Sequence, residues 1–463
     1  MIKNSIVVTL LLGSPLIADM SFEMWQQQER EAFINYQTQM DKEFIKMLKN
    51  EWQEYRSKQV LVPYQPPKPQ QQPILQPLPK PQEYITPIPT LPKIEPLPTL
   101  SKKQEITGFT KLEFDFFGID IEIHHNRELE YNIENVSTST IANFWTRQSS
   151  RNYQSLIKEI QEYQKTYKLD GWATYLLIKE ITNRGSYNTN SQNLMQWFIL
   201  VKLGVDAKIG FAHNSLSLLV YSQEKLYDLR FFEIDGKKYY NLNNRNSIRL
   251  QIYRENMRDL YELKFLDQQI TLPYNINHKK IEFVYQDRAY LFNIPYNRNL
   301  ISLYKSYPQL AYYKYKNISS LSWNSIHQQL SPIISKMNKA EAINFLLRLT
   351  QNGFEYKTDK ENFGKEKVMF FEETLHYDYS DCEDRAIFFA ILVRELLKLN
   401  IIFVKYPNHL ATAIKLNSNL GGDTLIYQNQ TYTIADPTYS SANIGQAMPQ
   451  LKGQKIKIIE PRR

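Results

Sequence analysis

The chain contains a single cysteine, Cys382, among its 463 residues. An internal disulfide is therefore excluded, and in an oxidising compartment such a thiol persists only if it is protected or used. No pair of cysteines and no group of histidines has the spacing of a metal site, and the adjacent His124 and His125 would point to opposite faces of a strand. The sequence therefore predicts no metal and no organic cofactor.

Blocks of basic residues and long apolar runs are also missing. The net charge of +8 is spread along the chain without a Lys/Arg cluster, which disfavours nucleic-acid binding. The apolar run over residues 6–17 is too short for a comfortable membrane span. It follows Lys3 and precedes Ala18, which is the pattern of a secretory signal peptide over residues 1–18. We therefore expect an exported protein, periplasmic or secreted, with no transmembrane span in the mature chain.

Two unusual segments follow this signal. Residues 20–59 are polar and carry aromatic residues at eleven-residue intervals, which predicts one long amphipathic helix. This helix would dock on a partner, on a second copy or at a membrane surface, or would pack on the chain's own domains. Residues 60–105 hold thirteen of the 22 prolines and are predicted to form a semi-rigid, extended linker.

The stretch around Cys382 has the features of a reactive site. Ser380 or Asp381 can cap a helix that continues through the apolar residues 386–399, so that Cys382 lies in the first helical turn. The helix dipole at this position favours an anion and lowers the pKa of a thiol, and the free N–H groups there can bind an oxyanion. The sequence predicts a nucleophilic thiolate at Cys382.

Three strand-like segments follow the helix, at residues 401–404, 409–414 and 431–435. His409 begins the second segment and Asp436 directly follows the third. If these two strands are antiparallel neighbours, both side chains lie at one edge of the sheet, facing Cys382. A thiol, an imidazole and a carboxylate in this order are the nucleophile, base and orienting group of a catalytic triad.

Cys382, His409 and Asp436, in this order and spacing, resemble the bacterial transglutaminase-like branch of the papain-like superfamily. The resemblance covers roughly residues 340–450 and includes Asp-Cys-Glu-Asp-Arg, His-Leu-Ala-Thr-Ala and Ala-Asp-Pro-Thr-Tyr. It implies an α+β core with an antiparallel sheet in a catalytic domain over residues 321–463. The family's side-chain oxyanion donor has no clear match here, and three candidates stay open: Tyr377, Tyr379 and Gln351.

Acidic residues surround the thiol and oppose its ionisation. Asp381, Glu383 and Asp384 are the carboxylates, and Arg385 would neutralise one of them. One hypothesis is that the other carboxylates select a cationic substrate group such as a lysine or diaminopimelate amine. The alternative is a solvated acidic helix cap.

A weaker copy of the same pattern precedes the catalytic domain. When Gly204 is aligned with Asn400, His213 falls on His409 and Ser186 falls on Cys382. Residues 106–245 would then be a degenerate transglutaminase-like domain without its nucleophile. The alternative is ordinary α+β chain that happens to align. Residues 246–320 are predicted to be a β-rich bridge between the two lobes.

These features predict an exported thiol enzyme that acts on peptide or amide bonds through an acyl-enzyme. If the acyl group passes to water, the enzyme is a peptidase or amidase. If it passes to an amine, the enzyme is a transglutaminase. Its substrate would be a peptide, a protein or a peptidoglycan stem. The rival is a non-catalytic envelope protein that uses the same fold to bind such peptides.

Overall fold

The computed structural model describes residues 22–50, 52–59, 84–86, 100, 107–185, 187–227, 229–243, 246–255, 257–416 and 421–460. The predicted signal peptide, most of the Pro-rich segment and Ser186 lie outside these residues. Within them the chain is a mixed α+β protein built mainly on curled antiparallel sheets. The α+β class that the sequence predicts is confirmed.

The first part of the chain combines helices with a seven-stranded sheet. Its elements are α1 (Phe22–Asn50), β1 (Trp52–Arg56), β2 (Lys58–Gln59), β3 (Tyr84–Ile85), β4 (Phe109–Phe116), β5 (Ile119–Asn126), α2 (Thr138–Ser149), α3 (Gln154–Tyr167), α4 (Gly171–Arg184), α5 (Thr189–Lys202), β6 (Ala207–Ala212), β7 (Ser215–Tyr221), β8 (Arg230–Ile234), β9 (Lys237–Asn241) and β10 (Arg249–Tyr253). The sheet order is β1-β10-β6-β7-β9-β8-β2, and β4 pairs with β5 in the hairpin around Gly118 that the alternating sequence indicates.

The predicted helix over residues 20–59 is too long. Helix α1 ends at Asn50, and residues 52–59 form β1 and β2, which pair with β10 and with β8. β1 and β2 are the two edge strands of the sheet, so this short segment of chain connects one edge to the other. The physical cause is the packing of Trp52, whose ring centroid lies 5.2 Å from that of Phe211 and 5.4 Å from that of Tyr253.

The second half of α1 packs on the chain's own core. The carboxylate of Asp41 accepts hydrogen bonds from Trp145 Nε1 at 2.9 Å and from Lys202 Nζ at 2.6 Å. The Phe44 ring lies 4.7 Å from that of Trp145, and Leu48 is fully buried. The sequence leaves several docking partners open for this helix. Its second half packs on the chain's own domains.

We expect Phe44→Ala to destabilise the whole protein, because a buried ring in contact with three other aromatic rings is lost. Large-to-small changes of this kind cost about 3–5 kcal/mol. Thermal unfolding followed by circular dichroism measures the effect. Ile34→Ala is the matched control, since Ile34 lies on the same helix but is exposed; equal unfolding temperatures for the two variants would contradict the docking of α1.

The described elements on both sides of the Pro-rich segment belong to one continuous core. Elements α1, β1 and β2 precede this segment, β4 follows it, and within it β3 pairs in parallel with β12 (Arg288–Asn297). Both ends of the linker predicted over residues 60–105 are therefore attached to the same body, so the linker does not hold α1 away from the rest of the chain.

The remaining elements form the C-terminal half. They are β11 (Ile276–Tyr285), β12 (Arg288–Asn297), α6 (Arg298–Tyr304), α7 (Ser320–Ile334), α8 (Lys339–Asn352), β13 (Glu355–Tyr356), α9 (Asp359–Phe363), α10 (Phe371–His376), β14 (Tyr379–Ser380), α11 (Cys382–Leu397), β15 (Ile401–Tyr406), β16 (His409–Lys415), β17 (Thr424–Tyr427), β18 (Gln430–Ala435) and β19 (Lys457–Ile459). The β11–β12 hairpin turns at Gln286 and Asp287, within the predicted β-rich bridge. The predicted bridge over residues 246–320 begins too early, because β10 pairs with β6 of the first sheet.

The five-stranded sheet of the C-terminal half repeats a pattern of the first sheet. Its order is β19-β15-β16-β18-β17, and five consecutive strands of the first sheet have the order β10-β6-β7-β9-β8. Each of these strands runs antiparallel to its neighbours in both sheets. A long helix, α5 or α11, precedes each set directly along the chain. The two halves therefore share one order of helix and strands.

Candidate active site

Cys382 is the first residue of α11. The backbone of Asp381 is extended, and its N–H donates to the Asp384 carboxylate at 3.3 Å, which fixes the start of the helix. The Cys382 side chain is fully buried beneath the five-stranded sheet. The sequence-based placement of this thiol in the first helical turn is correct.

His409 and Asp436 are in direct contact at the sheet edge. Strands β16 and β18 are antiparallel neighbours, and the pairing of Thr412 with Ala435 brings the start of one beside the end of the other. His409 Nε2 lies 2.8 Å from Asp436 Oδ2. The other carboxylate oxygen accepts from the backbone N–H groups of Thr438 and Tyr439, at 2.9 and 3.2 Å. This arrangement holds the imidazole by Nε2 and leaves Nδ1 for proton exchange.

The sulfur of Cys382 lies beside the residue that follows His409. The backbone N–H of Leu410 hydrogen bonds to the thiol. The structure thus brings His409 and Asp436 into direct contact and places the thiol of Cys382 against the backbone of Leu410, the residue that follows His409.

The electrostatic surroundings of the thiol differ from the expectation. Its Sγ donates to Glu383 Oε2 at 3.1 Å. Burial raises the pKa of Cys382 well above its usual 9.0, and the charges of Glu383 and Asp381 raise it further, while the Leu410 N–H lowers it. The expected lowering by the helix dipole is wrong for this conformation, because desolvation and two neighbouring carboxylates outweigh it.

Five carboxylates crowd the same helix end. Asp359 and Glu366, from the segment before α10, join the three acidic residues that flank Cys382. Burial, then the charges of Asp384 and Glu383, raises the pKa of Asp359 to about 10. Burial first, and then the charge of Glu383, raises the pKa of Asp384 and the pKa of Glu366 to about 7 each. We call these five residues the acidic cluster: Asp359, Glu366, Asp381, Glu383 and Asp384.

Arg385 does not form the ion pair that the sequence suggests. Its guanidinium donates to Ser380 Oγ at 3.1 Å and to the backbone carbonyls of Gln351 and Phe354, at 3.2 and 2.7 Å. These acceptors are neutral, and burial lowers the pKa of Arg385 to about 10. Arg385 therefore joins the start of α11 to the end of α8.

Gln351 positions a backbone turn and does not serve as the oxyanion donor that the sequence allows. Its amide nitrogen donates to the carbonyls of Asp436 and Ala442, at 3.0 and 3.1 Å, so its N–H groups are engaged in holding the turn that carries Asp436. Tyr377 packs against Phe363, with ring centroids 4.9 Å apart. The remaining candidate, Tyr379, lies beneath the amine of Lys357.

Two other phenols border the thiol and were missed from the sequence. Burial raises the pKa of Tyr312 and of Tyr356, and the charges of Cys382, Glu383 and Asp381 raise both further. Both residues lie in loop or short-strand segments where sequence periodicity carries no signal. The pKa values of both phenols therefore respond to the charge of Cys382.

A cavity of about 910 Å³ opens beside the thiol. Glu383 lines it, whereas the fully buried sulfur of Cys382 lies behind that carboxylate. The wall combines residues 223–227 of the first half with Lys405, Tyr406 and residues 455–460 of the second. A substrate in this cavity would meet the Glu383 side chain before the thiol.

Comparison with known proteins identifies no relative. No family model matches the chain, and neither a curated protein nor a solved structure matches it significantly. Among the described residues, none of the helices has both the length and the apolar character needed to cross a membrane.

Proposed function

We propose that the chain is a cysteine enzyme of the transglutaminase-like class that acts on amide or peptide bonds. The observation that carries this proposal is the contact of His409 Nε2 with Asp436 Oδ2 at 2.8 Å, beside a thiol bonded to the Leu410 N–H. An oriented imidazole next to a sulfur is the arrangement that nucleophilic catalysis requires. The papain-like core predicted from the sequence is part of this proposal.

In the proposed reaction, His409 takes the thiol proton and the sulfur of Cys382 attacks the amide carbonyl. The C–N bond then breaks as the protonated imidazole returns that proton to the leaving amine, which gives a thioester. Water or a second amine attacks the thioester, and the thiol is restored. Asp436 fixes the ring orientation and stabilises the imidazolium. Glu383 must first release the thiol, which its position at the cavity wall permits.

The shared strand order of the two sheets supports a duplication. Residues 106–245 would be the degenerate copy, and its strands β6 to β9 take the places of β15 to β18. His213 lies in the exposed turn between β6 and β7, whereas His409 begins β16, so the predicted match of the two histidines is wrong by two residues. The predicted counterpart of the nucleophile, Ser186, lies outside the described residues. We propose that the first copy serves as a wall of the cavity and not as a second active site.

Alkylation by iodoacetamide tests the triad, and the single thiol makes the label specific to Cys382. We expect His409→Ala to slow alkylation at pH 7 by at least about tenfold, because the base that removes the thiol proton is lost. His213→Ala is the matched control and should leave the rate unchanged. Equal rates for the wild type and His409→Ala would contradict an assembled triad. Peptide cleavage with and without added amine then separates hydrolysis from transamidation.

A second function is favoured by one observation. The thiol is buried and hydrogen bonded to Glu383, with a raised pKa, which is the state of an unreactive cysteine. In this reading the protein binds peptides or peptidoglycan stems in the envelope without cleaving them. Slow alkylation that does not respond to His409→Ala would select this function. Both functions share the proposed export to the periplasm or outside the cell, which follows from the signal-like residues 1–18.

A further inference from the structure

Apart from Glu383, which must release the thiol, the acidic cluster takes no part in the proposed triad chemistry. An oxygen of Asp359 lies within 4.8 Å of oxygens of Glu366 and Glu383, and these two are also that close to each other. Asp359 forms a second group of the same size with Asp381 and Asp384. Asp381 is also within 4.8 Å of Glu383. The five carboxylates are therefore one connected set.

Two oxygens of this set are buried without a donor. Asp381 is 1% exposed, and its Oδ1 makes no hydrogen bond to any residue that the structure describes. Oε2 of Glu366 is also a buried atom without a hydrogen bond in the described part of the chain. Buried carboxylate oxygens are normally satisfied, because desolvation without a partner is costly. These two oxygens point to a missing ligand.

The neighbouring basic side chains do not neutralise the cluster. Lys367 Nζ pairs with Glu373 at 2.6 Å, and Arg385 donates to neutral acceptors. Lys405 adds one positive charge from the cavity wall, where it interacts with Glu383. The five carboxylates outnumber this single positive charge, so a divalent or trivalent cation would be attracted to the cluster.

We propose that Asp359, Glu366 and Glu383 bind a calcium ion, with the buried Asp381 carboxylate beside two of these ligands, Asp359 and Glu383. Calcium takes oxygen ligands at about 2.3–2.6 Å, so two oxygens on one ion lie at most about 5 Å apart. One oxygen from each of the three residues lies within 4.8 Å of the other two, which satisfies this condition. An all-oxygen set favours calcium over zinc, which prefers nitrogen and sulfur ligands. Glu366 and Glu383 line the cavity, which supplies the entry path and space for water ligands.

Terbium luminescence tests this site on the full chain after removal of metals with a chelator. Tyr312 and Tyr356 border Glu383 and should sensitise bound terbium, a calcium substitute. We expect emission on excitation of tyrosine, and its loss as calcium is added. Calcium at a hundredfold excess over its dissociation constant should also raise the unfolding temperature by about 3 °C or more.

Glu366→Gln should weaken calcium binding at least about tenfold, since it removes one charged ligand of the three. Without metal the same variant should unfold at or above the wild-type temperature, because a buried like charge is removed, and this separates lost binding from lost folding. Glu224→Gln is the matched control: Glu224 lines the same cavity but pairs with Lys314 at 2.7 Å. It should bind calcium within twofold of the wild type.

Three results would overturn the calcium site. The first is absence of both terbium emission and a calcium-induced rise in unfolding temperature. The second is equal calcium affinity in Glu366→Gln and the wild type. The third is stabilisation by the diamine cadaverine and not by calcium, which would assign the cluster to a cationic substrate group. Each readout measures binding alone, so it is independent of the proposed catalysis.

Discussion

Glu383→Gln should accelerate alkylation of Cys382 by at least about tenfold at pH 7, measured in the presence of a chelator. After burial, the charge of the Glu383 carboxylate, which accepts the thiol hydrogen bond, has the largest effect in raising the thiol pKa. A glutamine of the same size removes this charge, and each unit of lowered pKa gives about ten times more thiolate at a pH below the pKa. Mass spectrometry of the alkylated protein over time measures the rate.

The direction of the pH dependence follows from the same shift. A raised thiol pKa keeps the wild-type rate low near neutrality, and the rate increases as the pH rises toward the pKa. Glu383→Gln should move this increase to lower pH. Glu395→Gln, near the other end of α11, is the control and should leave the profile unchanged. A profile that stays in place for Glu383→Gln would show that burial alone suppresses the thiol.

Arg385→Met should destabilise the protein by at least about 3 kcal/mol, because three buried acceptors lose their donor and each such loss costs about 1–3 kcal/mol. The methionine fills part of the space but donates no hydrogen bond. Ser380 Oγ and the carbonyls of Gln351 and Phe354 then lose their buried donor. The loss also takes a positive charge away from the acidic cluster. Chemical denaturation followed by fluorescence measures the free energy of unfolding.

Arg394→Met tests whether this effect is specific to the buried site. Arg394 lies on the same helix, is about one third exposed and pairs with Glu395. Surface ion pairs contribute about 0–1 kcal/mol, so the variant should stay close to the wild type. A loss below 1 kcal/mol for Arg385→Met would mean that water replaces the guanidinium, and that the junction between α8 and α11 does not depend on it.

The elements around the candidate triad were predictable because local patterns determine them. Helix periodicity located α11, and short strand-like segments located β16 and β18. Once β16 and β18 are antiparallel neighbours, His409 and Asp436 meet, since one begins its strand and the other follows the end of its partner. The net shift of the thiol pKa was not predictable, because the helix dipole and the adjacent carboxylates act in opposite directions, and the largest cause, burial, depends on tertiary packing.

Two errors show the limit of reasoning from sequence neighbours. Arg385 follows Asp384 directly, but adjacent residues on a helix project about 100° apart, so they seldom face each other. Its partners are the carbonyls of Gln351 and Phe354, far away in sequence. In the N-terminal region, the eleven-residue repeat continues through Tyr55 although that residue is in β1. No glycine or proline marks the break after Asn50, so the pattern alone does not place it.

The double pairing of residues 52–59 has a consequence for proteolysis. A single cut between residues 60 and 83 would separate α1, β1 and β2 covalently from the rest of the chain. The backbone pairs with β10 and β8, and the contacts of Asp41 and Phe44, would still hold the two pieces together. The nicked protein would elute as one species on gel filtration and separate into two bands only in detergent. The short fragment would behave as a tightly bound subunit whose departure opens both sheet edges to aggregation.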